Sequence, residues 1–390
     1  MNITCRTDKN ILYIAMEGRL EASNASAAEE RIFAIRTEHV GKSIVIDADK
    51  LEYISSAGLR IILKLRKKEP DLAIINVSPE VYDIFDMTGF TDMITIEKTY
   101  KRLSLEGCEF IARGANGAVY RYDDETILKL YDSKDALFEI RQERESARKA
   151  FVLGVSTAIP YGIVRVDDGY ATVTELLNAV NLTKLLCDDP VNLEKPVEYF
   201  VDLLKSIHEV EARDGDFPDM RETALEWASF VSDYIPKAYG SKLCAMVEAI
   251  PKSNTLLHGD YHTGNVMIQE GEPLLIDLDT LCVGHPIFEF GSMYNAFLGF
   301  SERDPNIILR FMGYDHDTAL KFWNMSLKKY LGTENAALCE QLENKARVIG
   351  YMRLLRRSVR RTDEEDWQEN AAYYKEKLME MIEKVDTLEF

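Results

Sequence analysis

Leu256-Leu257-His258-Gly259-Asp260-Tyr261-His262-Thr263-Gly264-Asn265-Val266-Met267-Ile268 is followed, after a short polar break, by Pro273-Leu274-Leu275-Ile276-Asp277-Leu278-Asp279. The apolar runs read as strands that bracket a polar loop. Asp260 and Asn265 sit in that loop, and Asp277 emerges from the second strand. Phosphoryl transfer needs such a set. One carboxylate orients or deprotonates the attacking hydroxyl, while an amide oxygen and a second carboxylate hold Mg2+ against nucleotide phosphates. Taken singly, each acid is equally a loop cap or a solvated charge. The set at this spacing points to chemistry.

Upstream, Arg113-Gly114-Ala115-Asn116-Gly117-Ala118-Val119-Tyr120 precedes Thr126-Ile127-Leu128-Lys129-Leu130-Tyr131. A two-glycine turn lets backbone N–H groups approach phosphates, although a plain hairpin explains Gly114 and Gly117 equally well. Lys129 is more telling: strand alternation sets it on the face opposite Leu128 and Leu130, within reach of phosphates. The helical period over 134–153 offers a partner carboxylate. Glu143 is the first choice because it falls at the edge of the face carrying Ile140 and Ala147. Glu139 is second, and a solvated glutamate is the plain reading of both.

Further out, the first hundred residues alternate strand and helix signals. Ile11–Met16, Ser43–Ile46 and Leu72–Val77 read as strands; residues 24–39, Ala57–Lys68 and the stretch after Pro79 read as helices. This alternation predicts an α/β sheet covered by helices, with a boundary near residues 99–102. Ser55 and Ser56 fall at a helix start. A hydroxyl there caps free N–H groups, typically worth ~1 kcal/mol. A phosphate at the same place would meet those N–H donors and the positive end of the helix dipole, which makes Ser56 a candidate phosphosite.

Tyr53-Ile54-Ser55-Ser56-Ala57-Gly58-Leu59 resembles the phosphorylation loop of STAS domains of bacterial anti-sigma-factor antagonists. Ser78–Gly89 resembles their last helix, and Met16–Leu20 also fits. The resemblance spans residues 1–98 and implies a protein-interaction or small-ligand-sensing domain. Family members commonly carry Asp before the phosphorylated serine; this chain has Ser55 there. Residues 105–390 resemble the kinase-like fold of aminoglycoside and choline phosphotransferases, most specifically at His258-Gly259-Asp260-x-His262-x-x-Asn265 and Ile276–Asp279. That resemblance implies Asp260 as catalytic base, Asn265 and Asp277 as Mg2+ ligands and Lys129 as phosphate anchor. Gly114, Asn116 and Gly117 would form the turn over the phosphates of ATP or GTP. Glu175-Leu176-Leu177 would be the hinge gripping the base through backbone groups. The expected fold is thus multidomain, α/β and α+β: a STAS domain (1–98), then a bilobal protein-kinase-like domain with a smaller lobe (105–178) and a larger, helical one (179–390).

Protein kinases usually carry Lys two residues after the catalytic Asp; here His262 stands there, as in the small-molecule enzymes. No Phe-Gly follows Asp277, and Gly284-His285-Pro286 leaves little room for a peptide-docking segment. The expected reaction is therefore transfer of the γ-phosphate to a small-molecule hydroxyl, with the STAS domain as regulator or partner-binding module. A Ser/Thr kinase acting on Ser56 or a partner's serine is the alternative, and a non-enzymatic nucleotide sensor the third. Glu289 stands where the family often has Asp after the Gly-x-Pro turn, a change expected to touch loop anchoring.

Composition frames these readings. The 390 residues carry 47 basic and 66 acidic side chains, a net charge of −19. Such a surplus argues against a nucleic-acid backbone or an anionic membrane as main partner. No apolar run approaches the ~18 residues of a membrane span. The polar start of the chain lacks a signal-peptide core, and a cytoplasmic location is expected. The six cysteines are scattered and read as reduced thiols rather than disulfides or a metal site. Asp188–Glu226 holds 12 acids and 4 bases. That excess predicts long-range steering of a cationic acceptor. Arg353, Arg357 and Arg360/Arg361 lie along one helical side. They read first as an ion-paired surface helix, and second as an anion-binding face for a phosphorylated substrate.

Overall fold

The computed structural model describes residues 1–114, 117–133, 137–363 and 365–390. The chain divides into two compact units. The first is Met1–Ser104 with Val164–Asp168, the second Leu105–Ile163 with Gly169–Phe390. Among the described residues, no helix is long and apolar enough to cross a membrane.

In the first unit, β1 (Asn2–Asp8), β2 (Ile11–Leu20), β3 (Ser43–Ile54), β4 (Ala73–Val77) and β5 (Thr95–Lys98) form one sheet in that order. β1 runs antiparallel to β2, and β2 through β5 are mutually parallel. Parallel neighbours need crossovers. Here these are α1 (Ala25–Glu38), α2 (Ser56–Lys68) and α3 (Pro79–Met87). Period-2 burial in β2 puts Leu12, Ile14 and Met16 into the core, where they meet Ile32 and Ile35 of α1, Leu65 of α2 and Phe85 of α3. β1 was not expected, because its residues are polar and exposed and carry no alternation to read. β3 runs to Ile54, well past the β-branched run that announced it. Ser55 caps α2 by accepting from the Gly58 N–H at 3.4 Å, and Ser56 is the first, exposed residue of that helix. Gly58 has no room for a side chain: a Cβ would lie 2.7 Å from Leu20 and Ile54. A short strand, β6 (Arg102–Leu103), ends the unit.

The second unit opens with β7 (Glu109–Arg113), β8 (Gly117–Arg121), β9 (Thr126–Tyr131), α4 (Leu137–Val152), β10 (Pro160–Val166, as far as Ile163 in this unit) and β11 (Gly169–Glu175). Neighbours in its sheet follow the order β10-β11-β9-β8-β7. The β7–β8, β8–β9 and β9–β11 pairs are antiparallel. β12 (Val180–Asn181), α5 (Leu182–Asp188), α6 (Glu194–His208), α7 (Met220–Ser232) and α8 (Lys237–Glu248) follow. Four short strands carry the loops of interest: β13 (Leu256–Leu257), β14 (Val266–Gln269), β15 (Glu272–Leu275) and β16 (Cys282–Val283). β14 pairs with β12 and β15, and β13 with β16. Then come α9 (Ile287–Tyr294), a π-helical turn at Asn295–Gly299, α10 (Ile307–Met312), α11 (His316–Leu331), α12 (Ala336–Arg360) and α13 (Trp367–Lys384). α12 is the spine of this unit, packing on α7, α9, α11 and α13 around a core with Phe200, Tyr261, Tyr294 and Trp323 fully buried.

Candidate functional site

Lys129 sits mid-strand on β9, opposite Val119 of β8 and Thr172 of β11. Its Nζ donates to Glu143 Oε1 at 2.9 Å and to Asp277 Oδ1 at 3.0 Å. Tyr131, two residues along the same face, donates to the other oxygen of Glu143 at 2.6 Å. Burial alone would lower the Lys129 ammonium, but the charges of Glu143 and Asp277 more than offset it and hold its pKa above the ordinary value. Tyr131 is pushed up, first by burial and then by Glu143. Glu143, not Glu139, is therefore the helix carboxylate that meets the lysine. Tyr131 was missed, having read only as part of an apolar strand.

The loop between β13 and β14 is held by one buried acid. Glu289, fully buried on α9, accepts from the backbone N–H of His258 at 2.5 Å and of Gly259 at 3.0 Å. Burial raises its pKa to about 7, against the lowering pull of those two N–H groups. The Gly259 carbonyl accepts from Ser292, and the His258 carbonyl from Thr280. His258 is buried; its Nδ1 accepts from the Asp260 N–H at 3.3 Å. Gly259 has φ +85°, and a Cβ there would lie 2.4 Å from the Thr280 carbonyl oxygen. Only glycine fits that turn without strain.

Asp260 leaves this braced loop with its side chain half exposed. His262 Nε2 lies 3.7 Å from Asp260 Oδ2, while its Nδ1 accepts from the Gly264 N–H, which fixes the ring. Burial would raise Asp260, but His262, His258 and Arg353 hold it below the ordinary carboxylate range. Asn265 is buried, and its Nδ2 donates to the Asp260 carbonyl at 3.0 Å, which turns its oxygen the other way. Asp277 adopts φ 61°, ψ 68° at the end of the strand region. A left-handed aspartate is uncommon and marks a strained position.

Gly114, Gly117, Lys129, Glu143, Glu175, Leu177, Asn265 and Asp277 all line one cavity of about 590 Å3. Its walls also carry Val119, Ile127, Met267 and Leu278. Such a mix of apolar surface and a few convergent charges is typical of a cofactor-sized pocket. Asn116 lies outside the described residues. The Glu175 and Leu176 N–H groups are engaged by the carbonyls of Ile159 and Glu125. Asp260 instead lines a second cavity, of about 490 Å3, with Trp227, Asn295, Arg353, Arg356 and Arg360.

Of the arginine run, Arg357, Arg360 and Arg361 are exposed, as a surface helix has them, whereas Arg353 is partly buried beside Trp227 and lines the cavity that Asp260 enters. The long-range packing of α12 on α7 and α9 causes this, and charge spacing along one segment does not report it. The acids of Asp188–Glu226, read as steering a cationic acceptor from a distance, are not among the described lining residues of the Asp260 cavity, which steering does not require.

Two family models match. The one described as "Phosphotransferase enzyme family" covers residues 107–323, and the STAS domain model covers residues 2–121. The protein named as anti-sigma factor antagonist BtrV of Bordetella bronchiseptica is 28% identical over 100 residues, 25% of this chain and 85% of that protein. The anti-sigma-B factor antagonist of Listeria monocytogenes is 27% identical over 96 residues, 23% of this chain and 82% of its own length. Among solved structures, the ADP-bound aminoglycoside phosphotransferase APH(2'')-Ib aligns over 77% of this chain and 98% of its own. Its identity is 13% and its TM-score 0.48. A choline/ethanolamine kinase family protein from Mesorhizobium loti aligns over 71% and 88%, with 13% identity and a TM-score of 0.46. The chain belongs to the phosphotransferase enzyme family, and it carries a STAS domain ahead of its phosphotransferase domain.

Proposed function

We propose that this chain is an ATP- or GTP-dependent phosphotransferase that moves the γ-phosphate to a hydroxyl of a small molecule, in the cytoplasm, with the STAS domain (1–98) as regulatory or partner-binding module. The carrying observation is the bracketing of Lys129 Nζ by Glu143 and Asp277 at 2.9 and 3.0 Å inside a partly apolar cavity. A lysine so fixed presents one point charge to nucleotide phosphates, and Glu143 keeps it aimed. The nucleotide would lie between the smaller lobe (105–178) and the larger (179–390). Gly114, Asn116 and Gly117 would cover the phosphates, and the Leu177 N–H would read the base beside Glu175.

The donors present suit Mg2+. Asp277 offers a carboxylate and Asn265 an amide oxygen turned away from its own donor bond, both hard oxygens on the wall of the same cavity. Mg2+ bound there neutralises charge on the phosphates. The remaining work belongs to the chain. Asp260, held ionised by its neighbours, accepts the proton of the attacking hydroxyl. His262 is positioned beside it to contact the transferred phosphate. Glu289 holds the loop so that neither moves.

Full-length protein titrated with Mg·ATP in a thermal-shift assay should be stabilised, by ~2.7 kcal/mol at 100 times Kd. Asp260→Asn should keep that shift and lower turnover about 100- to 10,000-fold. A wild type that Mg·ATP does not stabilise refutes this function. A second reading, phosphorylation of Ser56 by this kinase or another, is favoured by the exposure of Ser56 at the first turn of α2. Intact mass after incubation with Mg·ATP decides its cis form; an unmodified Ser56 excludes it.

A further inference from the structure

The Asp260 cavity is basic in a chain that is strongly acidic. Arg353, Arg356, Arg357, Arg360 and Arg361 line it, and Asp260 is the carboxylate among the described lining residues. The Cζ atoms of Arg353 and Arg356 lie 5.3 and 5.2 Å from the Trp227 ring centre, so one indole shelf holds both guanidiniums. Like charges three and four residues apart on a helix repel. Here burial first, and then Arg360 and Arg353, hold Arg356 below the ordinary arginine range, with Glu226 opposing. The end of α12 attracts cations through the helix dipole, which accounts for charge in its last turn. It does not account for Arg353 and Arg356 further back, stacked on Trp227 next to Asp260. The cavity is closed on another side by Asn295, where the helix widens into a π turn and the Asn295 Oδ1 is buried without a partner. π turns recur at functional sites.

We propose that this cavity is the acceptor site and that the acceptor is anionic: a small hydroxyl compound carrying a phosphate monoester, which Arg353, Arg356 and Arg360 grip while its hydroxyl faces Asp260. Planar guanidinium forks match phosphate oxygens in pairs, as an ammonium does not. The inference rests on the phosphotransferase reading and reverses the cationic acceptor expected from the acidity of Asp188–Glu226. The transfer balances. The acceptor oxygen forms a bond to the γ-phosphorus, and the bond to the β-phosphate oxygen breaks with its electron pair leaving on the nucleoside diphosphate. The hydroxyl proton passes to Asp260 and then to solvent.

The test is calorimetric titration of the full chain saturated with Mg·AMP-PNP. The probes are inorganic phosphate, glycerol 3-phosphate, glycerol and choline. Phosphate and glycerol 3-phosphate should bind, and glycerol and choline should not. The double variant Arg356→Gln/Arg360→Gln should weaken glycerol 3-phosphate at least tenfold and leave Mg·AMP-PNP affinity within twofold. Binding of choline that the double variant does not alter overturns the proposal, as does failure of both phosphate probes. Loss of Mg·AMP-PNP affinity in the double variant also overturns it, by assigning the arginines to the nucleotide. If wild type binds no Mg·AMP-PNP, the phosphotransferase reading fails. The same titration without nucleotide then decides the anion site by itself.

Discussion

Glu289 shows how much of this site depends on one side chain that touches no substrate. Its two oxygens accept from the N–H groups of His258 and Gly259, the two residues before Asp260. Burial holds its pKa near 7, above that of an unfolded glutamate. A raised carboxyl pKa stabilises the fold fully below the unfolded value, and that contribution is lost as pH rises through the folded one. Wild type should therefore lose stability relative to Glu289→Gln between pH ~4.5 and ~7, by on the order of 3 kcal/mol. Tm measured for both proteins from pH 5 to 8 checks this; a difference that does not change with pH contradicts it. The family resemblance alone set Glu289 at loop anchoring; its partners were not legible in the residues themselves. Asp260, Lys129 and Asp277 stand out because each is a charge in an apolar run. The grip of Glu289 on two N–H groups depends on α9 reaching back to β13, which no local pattern encodes. Trp227 was invisible for the same reason, since it meets Arg353 across 126 positions of chain.

At the scale of elements, the loop from β13 to β14 is the decisive piece, and its geometry depends on one left-handed glycine. Gly259→Ala would force a Cβ to 2.4 Å from the Thr280 carbonyl oxygen at φ +85°. Backbone strain of that kind costs roughly 1–3 kcal/mol, and the clash adds to it. Urea denaturation should show a loss of about that size or more, and turnover should fall further than stability because Asp260 and His262 ride on the loop. A variant with wild-type turnover would show that the loop tolerates the shift. Element identities were largely legible where hydrophobic period was clear: α1, α2 and α3, β2 and β4. They failed where the residues were polar but paired. β1 is exposed along most of its length and exists because β2 offers it a hydrogen-bonding edge. α12 was read from its charged end, while its 25 residues are set by contacts with four other helices.

For the whole molecule, the two units each close their own core. One core runs from Leu12 to Ile94, the other from Ala150 to Leu388, and no residue belongs to both. The charge divides as unevenly: residues 1–100 carry 13 bases and 16 acids, and the rest carry 34 and 50. Separate cores of unequal size should unfold as separate cooperative units, because cooperativity follows shared burial. Scanning calorimetry of the full chain should then give two transitions. Mg·ATP should move the one belonging to the larger core, since only the second unit holds Lys129, Asn265 and Asp277. A ligand that binds one folded unit stabilises that unit by mass action and leaves the other where it was. A single transition that moves as a whole would mean that the STAS domain and the phosphotransferase domain unfold as one, and would overturn this expectation. Two transitions, only one of them moved by Mg·ATP, would show instead that the two cores unfold independently and that nucleotide binding stabilises the larger one alone.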